Sequence, residues 1–204
     1  MTPLRIAFLL DTPGVPEPWQ RLAVERIEKD NLLRFAGYAV TGALADQAAA
    51  PTAFSRFSAL ENRVLLQRSQ RATAPVTVSR VELLDADIVV NCSLSLLPTD
   101  RLAPILHGEW RFNFSGERNG SADWFGYRPV MERAAYTHLV LAARDVSGRS
   151  GTVASARFSV KPSGAVNNRF VKERAASLLL RELRRLALTG ERAIDAAPSS
   201  WLRP

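Results

Sequence analysis

The chain has 204 residues, 47% of them hydrophobic and 23% charged, with 27 Lys and Arg against 20 Asp and Glu for a formal net charge of +7. That is the composition of an ordinary globular chain long enough to bury a substantial core. Cys92 is the single cysteine, which excludes an internal disulfide or thiolate cluster; His107 and His138 are the two histidines, which excludes a histidine-rich metal site, and no metal ligand set is expected. The apolar run Ile6 to Leu10 is too short for a signal-peptide core and no later run reaches spanning length, so the expected location is cytoplasmic and no membrane partner is expected.

Leu4 to Leu10 reads as a buried strand, closed by the turn residues Asp11-Thr12-Pro13-Gly14. Pro16 or Pro18 can open a helix that gathers Trp19, Leu22, Ala23 and Ile27 on one face, and Tyr38 to Leu44 reads as a second strand. This β-α-β order opens an α/β sheet domain. A second helix is expected over Ala53 to Ser69, followed by a β-biased stretch, Ala72 to Val81, which Pro75 marks as an edge or a loop.

The Ile-Val-Val run of Asp87 to Asn91 fits a strand buried on both faces of a parallel sheet. Pro98 opens a short helix through Leu102 to Ile105, which leads into HGEWRFNFSGE, His107 to Glu117. There Arg111, Asn113 and Ser115 alternate with Trp110, Phe112 and Phe114, giving a polar face and an aromatic face. Arg118 to Ser121 reads as loop and Asp123 to Arg133 as irregular or briefly helical. Thr137 to Ala143 and Thr152 to Val160 form a hairpin about the Asp145–Gly151 turn, and Pro162 to Asn168 is a loop. The helix Val171 to Leu188 is stopped by Gly190. Residues 1–190 make one domain, and 191–204 a weakly ordered tail.

The positive charges are spread along the chain, mostly as arginine, and interrupted by acids. Such a surface attracts anions, phosphorylated metabolites among them. There is no long basic block, zinc-finger spacing or RNA-binding aromatic signature, so nucleic acid is not the expected partner. Asp11 follows the first strand at its carboxyl end, where open α/β sheets bind ligands, and is a candidate ligand-binding residue.

In their order and spacing, PEPWQRLAVERI, LENRVLL, LLDADIVVN, LLPTDRLAPILHGEWRFNFSGE, THLVLAARDVSGRSGTV and VKERAASLLLRELRRLA resemble the formyltransferase superfamily. The likeness is to its divergent branch with a G-x-W-x-F-H type strand, and it covers most of Leu4 to Leu188. It implies a three-layer, Rossmann-like α/β domain with a central, mostly parallel sheet. It also implies transfer of a formyl group from 10-formyltetrahydrofolate to an amino sugar or another amine, with a nucleotide-sugar or amine as the small-molecule ligand. The family works with an Asn-x-His pair on the central strand and an aspartate from a later loop. The amide and imidazole stabilise the oxyanion, and the imidazole takes the proton the amine loses.

By this resemblance Arg111 stands where the family has asparagine, Asn113 where it has histidine, and Asp145 near its aspartate. An asparagine can donate to an oxyanion but cannot act as a base. Glu117, leaving the strand, and Glu132 are candidate carboxylates to replace it. His107 lies six residues from Asn113, and His138, inside THLVL, reads as a satisfied core histidine. Arg111 and Ser115 are candidate ligand contacts, the guanidinium suiting a carboxylate or phosphate. Three readings stay open: an active transferase, a catalytically degenerate member of the fold that binds an anionic or sugar-like ligand or a protein, and an unrelated basic domain that binds nucleic acid.

Overall fold

The computed structural model describes residues 2–10, 16–40, 78–80, 85–92, 96–114, 126–191 and 199–202. The expected helix over 53–69 lies outside them. Eight strands form one mixed sheet in the order β3-β2-β1-β4-β5-β6-β7-β8. They are β1 (Leu4–Leu10), β2 (Leu33–Val40), β3 (Val78–Arg80), β4 (Ile88–Asn91), β5 (Glu109–Phe114), β6 (Tyr136–Arg144), β7 (Ser150–Ser159) and β8 (Ser199–Leu202). Among the described residues the helices are α1 (Pro18–Glu28), α2 (Thr99–Leu102), α3 (Arg128–Met131) and α4 (Gly164–Thr189).

The first five strands run parallel, β6 and β7 form an antiparallel hairpin on β5, and β8 lies parallel to β7. The expected three-layer α/β architecture is therefore the one observed. β1 and β4 are buried almost throughout, which explains their uninterrupted apolar sequences. One face of the sheet carries Ile6, Phe8, Val90, Trp110, Phe112, Leu139 and Leu141 into the main core beneath α1 and α4. The other face carries Ala7, Leu9 and Val89 into a smaller cluster with Leu97, Leu102 and Ile105 around α2.

Pro18 begins α1, and the backbone N–H of Glu17 donates to Gln20 Oε1 at 2.7 Å, closing the entry. Ion pairs Lys172–Glu17 and Arg184–Asp30 hold α1 against α4.

Three elements differ from their expected bounds. β2 begins at Leu33 rather than Tyr38, because Leu4 to Leu10 pairs with it from Leu33 onward. α4 begins at Gly164, within the stretch expected as loop. Ser163 accepts from Val166 N at 3.3 Å, and the buried Asn167 amide donates to Gly126 O at 2.8 Å and Thr137 Oγ1 at 3.1 Å, so the first turn is anchored by polar contacts that apolar periodicity does not register. Gly190 ends it as expected, at φ 68°. Residues 199–202, from the segment expected as a loose tail, pair with Ala154 to Arg157 as β8.

Candidate functional site

β1, β4 and β5 are parallel, so Leu10, Asn91 and Asn113 reach the same edge of the sheet. The order β2-β1-β4 reverses direction between β1 and β4, the switch point at whose carboxyl ends such sheets hold ligands. Asp11, next in sequence after Leu10, lies outside the described residues, as do Ser115 and Glu117.

The alternation read from HGEWRFNF is present in β5. Trp110 and Phe112 are buried in the main core, Phe112 edge-on to Trp19 at 5.8 Å. Glu109, Arg111 and Asn113 take the opposite face, where Arg111 is half-buried and Asn113 exposed. Register places Arg111 between Asn91 of β4 and Ala142 of β6, and Asn113 opposite Val140.

His138 is the residue that sequence reasoning placed wrongly. It is exposed rather than in the core, because β6 alternates: Thr137, Leu139 and Leu141 are buried, while Tyr136 and His138 face away from them. It therefore shares the face of Arg111 and Asn113, two residues along β6 from Val140, the register partner of Asn113. Diagonal neighbours of this kind stand roughly 7–8 Å apart, within reach of one reacting molecule. The signal was period-two alternation carried through THLVL and tied to the register of the neighbouring strand.

Asp145 is not brought to this group. It follows Arg144, whose register partner is Glu109, at the opposite end of β5 from Asn113. Five strand positions separate the two levels, on the order of 17 Å. Its carboxylate accepts from Ser147 N at 2.9 Å, Ser147 Oγ at 2.6 Å and Arg149 N at 3.0 Å, closing its own hairpin turn. The Ser147 hydrogen bond, with help from Arg149, holds that carboxyl below the usual aspartate range. Glu132 is likewise engaged, in an exposed pair with Arg128 at 2.7 Å.

A buried polar cluster was not legible in the sequence. Glu109, 1% exposed, receives Arg144 Nε at 3.0 Å, Leu97 N at 3.3 Å and the Asn91 amide, while Arg144 also donates to Leu97 O. Gly108 makes room for it: φ is +69°, and a Cβ there would stand 2.1 Å from Arg144 O. The cluster sets β5 between β4 and β6 and thereby aims Arg111 and Asn113. At the far edge Arg5 clamps Asp87 through its backbone N–H (2.8 Å), Nε (3.1 Å) and a second guanidinium nitrogen (2.7 Å), joining β1 to the start of β4.

Among the described residues no three His, Cys, Asp or Glu side chains are grouped to hold a metal ion, and no helix is long and apolar enough to cross a membrane.

No family model and no curated protein matches the sequence. Solved structures do. The phosphoribosylglycinamide formyltransferase of Coxiella burnetii superposes with a TM-score of 0.58 at 10% identity, over 92% of this chain and 88% of that one. The same enzyme of Brucella melitensis gives 0.56 at 14% identity, over 91% and 96%. HypX of Aquifex aeolicus gives 0.54 at 14%, covering 99% of this chain and 30% of that much longer one. Across nearly its whole length, this chain has the fold of the formyltransferases.

Proposed function

We propose that this chain transfers a formyl group from 10-formyltetrahydrofolate to an amine, an amino sugar or a nucleotide-linked amine being the class in view. The observation that carries the proposal is the common face of Asn113 and His138 on adjacent antiparallel strands, at the carboxyl edge of a formyltransferase-type sheet. The donor set fits the donor molecule: an amide N–H, an imidazole and a guanidinium lie on one face. When bound, the folate donor supplies an activated formyl carbonyl.

Asn113 donates its amide N–H to the carbonyl oxygen as charge builds there. His138 takes the proton the attacking amine gives up, the role that asparagine cannot fill, and returns it to the folate nitrogen as the formyl C–N bond breaks and tetrahydrofolate leaves. Arg111 holds a carboxylate or phosphate of either substrate in a forked contact. Asp11, Ser115 and Glu117 belong to the two segments that adjoin the carboxyl ends of β1 and β5, and are proposed as further contacts.

A second reading is favoured by one observation. Asp145, the aspartate of the resemblance, is held in its own turn at the far end of β5. A protein of this fold that binds its ligand without turnover needs no such aspartate.

Calorimetric titration with a stable 10-formyltetrahydrofolate analogue at two salt concentrations tests the proposal. Micromolar binding that is insensitive to salt and weakened by Asn113→Ala supports it. The absence of binding to folded protein removes the folate-dependent reading.

A further inference from the structure

On the opposite face of the sheet from Asn113, α4 and β7 enclose a cavity of about 310 Å³. α4 presents Phe170, Arg174, Leu178 and Arg181 to it at helical spacing, and β7 presents Phe158. The volume is at the lower end of small-molecule sites. No carboxylate is among its lining residues, whereas four cationic residues are.

Two of those four do not offer their charge to it. Arg181 is paired with the buried Glu182, and Arg157, the register partner of His138, turns its guanidinium to the other face of the sheet, over the Tyr136 ring at 3.7 Å. Lys161 and Arg174 have no ion pair among the described residues. Both are stationed on one ring: Lys161 Nζ is 4.2 Å from the centre of Phe170, and the Arg174 guanidinium is 5.2 Å away. Phe170 is in turn held edge-on by Phe158 at 5.7 Å and 90°. Two cations without an ion pair among the described residues are thus preplaced over a fixed aromatic floor.

We infer that this cavity is a binding site for a small phosphomonoester, separate from the formyl-transfer site and independent of the reading given to it. A phosphomonoester carries a charge of about −1.5 to −2 at neutral pH, matching these two cations. Arg174 offers a forked donor and Lys161 a point charge. The carbon skeleton of the ligand rests on Phe158 and Phe170. The capacity of the cavity selects a molecule of sugar-phosphate size over a polymer.

The test is calorimetry on the full chain with inorganic phosphate, ribose 5-phosphate, ribose and a short single-stranded oligonucleotide. Variants are Lys161→Ala, Arg174→Ala and Arg174→Lys, with Arg149→Ala in the β6–β7 turn as a control. Ribose 5-phosphate binding, with ribose silent, is the expected result. Either alanine variant should weaken it roughly ten- to a hundredfold, the loss of one charged hydrogen-bonding partner. Arg174→Lys should fall between, and Arg149→Ala should match the native chain. The inference is overturned if millimolar phosphate and ribose 5-phosphate give no heat, or if both alanine variants bind as the native chain does. It is also overturned if the oligonucleotide alone binds, with a steep salt dependence, which would make this face a nucleic-acid surface.

Discussion

His138 of β6 and Asn113 of β5 lie on one exposed face of the sheet, separated by a single diagonal step across the antiparallel pair. Under the proposed reaction they divide the work that the resemblance assigns to its Asn-x-His pair. Asn113→Ala and His138→Gln should therefore separate. The first should weaken binding of a formyl-folate analogue and slow transfer. The second should leave binding within a few-fold while lowering turnover by about 10²–10⁴, the usual worth of a general base. Single-turnover kinetics with an amino-sugar acceptor measures both. Equal turnover in His138→Gln and the native chain would remove His138 from the mechanism.

Asp145 should behave as a turn residue. Asp145→Ala is expected to speed amide exchange at Ser147 and Arg149, whose N–H groups it accepts, and to leave binding of the folate analogue unchanged. Hydrogen exchange by NMR and the same titration provide the two readouts. A loss of binding without faster exchange would return Asp145 to the site.

The Glu109–Arg144 pair holds β5 in place from within. Because Glu109 is buried, Glu109→Ala leaves Arg144 largely out of water with no counter-charge, and unfolding in urea should show a loss of about 3–5 kcal/mol. Glu109→Gln keeps an acceptor for Asn91 and Leu97 N and should lose less. If the two variants are equally stable, the charge of Glu109 has no part in the effect.

Gly108→Ala tests the same junction through the backbone. The positive φ and the 2.1 Å approach to Arg144 O combine strain with overlap, and a loss of roughly 2–4 kcal/mol is expected. A thermal melt that does not move would show that the β5–β6 junction yields without cost.

Asp87 should make stability fall in acid. Its hydrogen bonds from Arg5 lower its pKa in the folded chain, outweighing burial, which acts in the opposite direction. A folded-state pKa below the unfolded value means that the stabilisation is complete above the ordinary aspartate range, near 3.9, and is lost as pH falls through the lowered value. Circular dichroism against pH should show Asp87→Asn less stable than the native chain at neutral pH, with the gap closing as pH falls below the ordinary aspartate range. A gap that persists unchanged in acid would place the effect outside ionisation.

The sequence alone determined the strands and helices whose periodicity reports their own burial: β1 and β4 as unbroken apolar runs, β5 as alternation, and α4 with its Gly190 stop. These patterns are local, since each side chain's preference for the core is settled within a few residues along the chain. The order of the motifs was enough to point to the formyltransferase fold.

What only the tertiary structure decided was which polar residues meet. Glu109 finds Arg144 across 35 positions, Asn167 finds Gly126 across 41, and Arg5 finds Asp87 across 82. Asp145 and Asn113, joined by the resemblance, are parted by the register of the β5–β6 pair, while His138 is turned by that register onto the face of Asn113. A shift of one residue in that register would reverse every side chain on β6. Register follows from the packing of the whole sheet, which no single stretch of sequence contains.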